Sequence, residues 1–163
     1  MKKILVLILI SFFISNISYA RQLLKGINEA IILYEDLNPG YEKCKVSLSQ
    51  IKTTAEYILS NSKIKITSDT DAPISNYIYI NTHGAEMGES EICVGQVTVK
   101  VIYLDVFGRI DPSKNKNQGN YTFWEETVVV HGGMNKGYYN DQLYESLEDI
   151  VKRLVIKWNE DNK

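Results

Sequence analysis

The chain has 163 residues, 18 basic and 20 acidic side chains, two histidines and two cysteines. Its weak acidic balance contains no basic block, which argues against a nucleic-acid partner, because phosphates need a clustered basic face. The length suits one domain with one core.

The first twenty residues read as a secretory signal peptide rather than as part of the fold. Met1-Lys2-Lys3 is a short basic head, and residues 4–14, ILVLILISFFI, are an apolar run too short to span a bilayer comfortably. Ser18 and Ala20 place small residues at the −3 and −1 positions of a cleavage site after Ala20. The expected mature domain is residues 21–163, with 16 basic and 20 acidic side chains once Lys2 and Lys3 are lost, a net charge of −4. The expected destination is the periplasm or the outside of the cell. Both places are oxidising, so Cys44 and Cys93 read as a disulfide.

Residues 27–37, INEAIILYEDL, form a β-branched run closed by Asn38-Pro39-Gly40, the first expected strand. Ser47 and Gln50 fit a capping box, so a helix is expected to open at Ser47, with Leu48, Ile51, Ala55, Ile58 and Leu59 on one face. Residues 63–67 are a short β-rich piece. The second long strand is NYIYINT (76–82), followed by a polar loop at 84–91. The third runs from about Ile92 to Asp105, with Val97, Val99, Val101 and Tyr103 on one face.

Residues 106–120 are a polar hairpin tip, and residues 121–131, YTFWEETVVVH, form the fourth strand. The last helix is expected to be capped by Asn140. Leu143, Leu147, Ile150, Val151, Leu154, Val155 and Trp158 form its apolar stripe. The order β-α-β-β-β-α predicts an α+β, two-layer sandwich, a mostly antiparallel four-stranded sheet with two helices on one face.

In this layout residues 76–131 are a meander and the first strand runs parallel to the second. His83, Cys93 and His131 then fall at one end of the sheet, and Cys44 reaches the same edge. Both His-Gly steps, at 83–84 and 131–132, read as strand ends. The alternative is a metal-dependent or acid/base hydrolase using His83, His131 and Glu86, with Glu89 and Glu91 nearby. No motif supports it: the chain has no H-E-x-x-H, no G-x-S-x-G elbow and no phosphate-binding loop. No metal and no cofactor are therefore expected.

Tyrosine is abundant, at 11 residues. Tyr138 and Tyr139 lie in a glycine-flanked stretch and are expected to resist complete burial. With Asn135 and Lys136 they form the candidate binding surface for another protein. The 84–91 loop and the 108–120 tip are further candidates.

The mature chain resembles small secreted or periplasmic bacterial proteins of unassigned function. The shared features are Cys44 before a helix, Cys93 opening a strand, Trp124 in a strand ending at Gly132, and Trp158-Asn159 in the last helix. Its layout also looks like the small amino-terminal domain of periplasmic assembly proteins such as TolB. The resemblance imports no activity and adds only to the expectation of a binding role; the expected function is a non-enzymatic domain binding another envelope or secreted protein.

Overall fold

A computed structural model describes residues 23–67, 76–87, 92–105, 119–132 and 136–163. The elements run β1 (Glu29–Tyr34), α1 (Pro39–Lys43), α2 (Leu48–Ser60), β2 (Lys65–Thr67), β3 (Asn76–Met87), β4 (Ile92–Asp105), β5 (Gly119–His131) and α3 (Lys136–Asp161). They form an α+β domain around one five-stranded sheet of order β2-β1-β3-β4-β5. The expected four strands become five because the short piece at 63–67 joins as an edge strand. β1 is parallel to both β2 and β3, while β3–β4 and β4–β5 are antiparallel. The sheet is therefore mixed, with its antiparallel half built from the meander.

Helix α2 opens where its cap demands: the Ser47 hydroxyl accepts the Gln50 N–H at 3.4 Å, in extended backbone. Its Ile51, Ala55 and Leu59 are buried at helical spacing. Helix α3 starts four residues before the expected cap. Asn140 lies inside it and donates from Nδ2 to the Lys45 carbonyl at 3.2 Å, bridging to the α1–α2 connection instead of capping its own helix. Pro39 and Gly40 of the expected turn after β1 instead open the five-residue α1.

Alternation along the strands decides which face is covered. On β3, Ile78, Ile80, Thr82 and Gly84 are buried, whereas Tyr77, Tyr79, Asn81, His83 and Ala85 are not. Their register partners on β4, Val97, Val99 and Val101, are fully buried. Leu143, Leu147, Ile150, Val151 and Leu154 of α3 complete this core, and α2 packs beside α3. At about 25 cal/mol per Å² this apolar burial is the main force holding the layers together. The opposite face of β3, β4 and β5 mixes polar side chains with the exposed Met87 and Val129.

The Cys44–Cys93 disulfide links the residue after α1 to the start of β4, and both cysteines are fully buried. The far end of α3 is tied by a polar clasp. Asn162 Oδ1 accepts the Gly26 N–H at 2.8 Å, its Nδ2 donates to the Leu24 carbonyl at 3.0 Å, and Asp161 Oδ2 accepts the Leu24 N–H at 3.2 Å. No helix among the described residues is long and apolar enough to cross a membrane.

Candidate functional site

At both His-Gly steps a helix closes on the strand. Position 84 lies on the covered side of β3 and faces Gly40 of α1: a Cβ on Gly40 would meet the Gly84 carbonyl at 2.4 Å. Asn38 Nδ2 donates to the same carbonyl at 2.9 Å. At Gly132 a Cβ would fall 2.1 Å from the Tyr139 Cβ and 2.6 Å from its Cα. Gly40 and Gly132 are thus each a glycine at which helix and strand approach too closely for a Cβ. The preceding histidine, one residue away, is turned to the uncovered face by strand alternation.

His83 and His131 are therefore both exposed, on the same face and at the same end of the sheet. They are offset in register: His83 lies opposite Gln96, and His131 opposite Val94. Two strand spacings and two residues along the strand place their Cα atoms roughly 12 Å apart. Glu86 does not join them. It pairs in register with the buried Cys93 and approaches Lys43 of α1 at 3.6 Å, so it lies on the covered side. Because β3 continues to Met87 instead of ending at residue 82, residues 83 and 86 take opposite faces. Among the described residues no three His, Cys, Asp or Glu side chains are grouped to hold a metal ion. Glu89 and Glu91 lie outside the described residues.

What does assemble around His83 is a polar row that the sequence reading did not single out. Tyr79 donates its hydroxyl to Glu35 Oε2, Asn81 Nδ2 donates to the Tyr79 hydroxyl oxygen at 3.4 Å, and His83 Nε2 stands 4.0 Å from Glu35 Oε2. Burial, then the hydrogen bond and charge of Glu35, raise the Tyr79 phenol above its ordinary value. The signal for this row was the period of two at residues 79, 81 and 83. Beside it a shallow concavity of about 440 Å³ is lined by Asn38, His83, Ala85, Val94, Gln96 and Val129. Across the neighbouring strands Thr98 and Thr127 share a hydrogen bond of 2.8 Å, and Lys100 pairs with Glu125 at 3.0 Å. The row holds proton donors and acceptors but no nucleophile paired with a general base.

The tyrosines divide. Tyr138 is 53 % exposed, but Tyr139 is fully buried beneath Gly132. The expectation that Tyr139 resists burial is corrected: it faces the core from the first turn of α3, which starts earlier than Asn140. Asn135 and most of the 108–120 tip lie outside the described residues, and Lys136 is placed only as the first residue of α3. A second concavity of about 350 Å³ runs between Tyr138, Gln142 and Ser146 of α3 and residues 128–132 at the end of β5. A third, about 510 Å³, lies at the β1–β2 side and includes Tyr34 and Glu56. It is mainly apolar. The chain matches no family model and no curated protein.

Proposed function

We propose that the chain is an exported binding module, without catalytic activity, that docks another envelope or secreted protein at the end of the sheet carrying His83, Val129 and Tyr138. One observation carries the reading. Val129 is 71 % exposed and Tyr138 53 %, both line the concavity between α3 and the end of β5, and Met87, 56 % exposed, ends β3. Exposed apolar groups rimmed by polar ones suit a protein partner better than a small ligand, which would be enclosed on more sides.

Export rests on the basic head, apolar run and small-residue cleavage site of residues 1–20. The buried disulfide is compatible with that route. The mature protein is then expected to begin at Arg21, which intact-mass measurement of the exported species checks.

A photo-crosslinking residue at position 129, with exposed Tyr57 as a control position on α2, tests the docking site in the native envelope. A product from 129 alone, containing a different polypeptide and lost on Tyr138→Ser, is expected. Equal labelling from both positions refutes the surface.

A further inference from the structure

The two edges of the sheet are guarded very differently. β2 is three residues long and begins with Lys65, so it offers little template for another strand. β5 is thirteen residues long, GNYTFWEETVVVH, and contains neither lysine nor proline. Among the described residues no strand pairs with its outer edge.

The register shows which β5 backbone groups face outward. Gly132 donates its N–H to the Cys93 carbonyl at 3.0 Å, so the even-numbered residues bond to β4. In an antiparallel ladder the alternate residues turn their N–H and C=O away from that partner. Glu125, Thr127, Val129 and His131 are those residues. The ladder is regular from His131 back to Trp124, and then slips by one at Phe123, because Trp124 pairs with Val101 whereas Thr122 pairs with Ile102. That bulge bends the edge and ends the usable segment.

We propose that this segment, Glu125 to His131, pairs antiparallel with the same segment of a second copy of the chain, around a two-fold axis at Val128. This axis sets Thr127 against Val129 and Glu125 against His131, and it joins outward backbone groups only to outward ones. It is also the axis at which the chemistry matches. The Glu125 carboxylate meets an imidazole that carries an N–H in either protonation state, and Glu125 keeps Lys100 on its other side at 3.0 Å. An axis one residue earlier, at Thr127, sets Glu125 against Val129 and His131 against the bulged Phe123. On the uncovered face the exposed Val129 gains a Thr127 neighbour from the partner. The same operation applied to both copies closes the pair, as a two-fold interface must. The result is one continuous sheet with the edge removed.

This inference stands on the backbone of β5 and not on the docking of another protein. A crosslink from position 129 of twice the chain's own mass reports the self-pair, and any other mass reports a partner. The test is sedimentation of the purified exported protein over about 1–500 μM, the range of small interfaces. A reversible dimer is expected. Val129→Pro, which removes an outward N–H that the fold itself does not use, should weaken it about tenfold or more. Glu125→Lys should weaken it about fivefold at low salt, and adding His131→Glu should restore it. The exposed charge variants decide the matter if the proline variant unfolds. A monomer throughout the range overturns the proposal, as does a dimer indifferent to all of these changes.

Discussion

Replacing both Cys44 and Cys93 by alanine should cost the fold about 4 kcal/mol. The two residues are 49 apart in sequence, and closing a loop of that length in the unfolded chain accounts for about 4 kcal/mol in the chain-entropy model. Both side chains are also fully buried, so trimming two sulfur atoms adds a smaller packing loss in the same direction. Against a typical domain stability of about 5–15 kcal/mol, the bond decides whether the fold survives mild stress. Urea unfolding followed by tryptophan fluorescence measures this, since Trp158 is 3 % exposed and reports the packing of α3. The variant should show a lower midpoint and a steeper dependence on urea, because its unfolded chain is freed to expose more surface. A loss below about 1 kcal/mol refutes the reasoning. It would mean that the unfolded chain already holds residues 44 and 93 together, so that the crosslink removes little freedom.

Three other perturbations probe separate parts of the structure. Gly132→Ala should cost about 1–3 kcal/mol in the same urea assay, since its Cβ meets the α3 backbone at Tyr139, whereas His131→Ala next to it should change stability by under about 0.5 kcal/mol. Equal effects would mean that packing at the glycine is not what the His-Gly step serves. Asn162→Ala should lose about 1 kcal/mol and speed amide exchange at Gly26, because its Oδ1 accepts that N–H while its Nδ2 holds the Leu24 carbonyl. Unchanged exchange there would show that the clasp is held by Asp161 alone. Finally, burial first and then Glu56 raise the Tyr34 phenol, while burial and Glu35 raise Tyr79. The fold favours the neutral phenols, so their contribution is complete below about pH 10, the unfolded value, and is lost as pH rises through the folded values. Phenolate absorbance and alkaline unfolding should therefore rise together, and Tyr34→Phe should flatten the alkaline loss.

The layers were legible because they rest on strong periodicities. A period of two in β4 and β5, a capping box at Ser47 and a wide apolar stripe in α3 each specify local structure by burial. The cysteine pair was legible for a topological reason: a meander and a parallel β1 bring both to one edge. The site was less so, and β3 shows why. Ending that strand at residue 82 treats Gly84 as a breaker and lets Glu86 swing toward the histidines. Gly40, which has no Cβ to meet the Gly84 carbonyl, instead lets α1 close on a strand that does not stop there, so the ladder continues to Met87 and the alternation continues with it. One misread glycine moves every later side chain to a free choice of face, whereas a continued strand fixes Glu86 opposite His83. The same substitution of packing for turning recurs at Gly132, where the close approach of Tyr139 draws the start of α3 forward and buries the tyrosine. Glycine after a β-branched run therefore carries two meanings, a turn or a contact with a second element. Sequence periodicity separates them only when the residues beyond the glycine keep alternating, as Ala85, Glu86 and Met87 do too briefly to register.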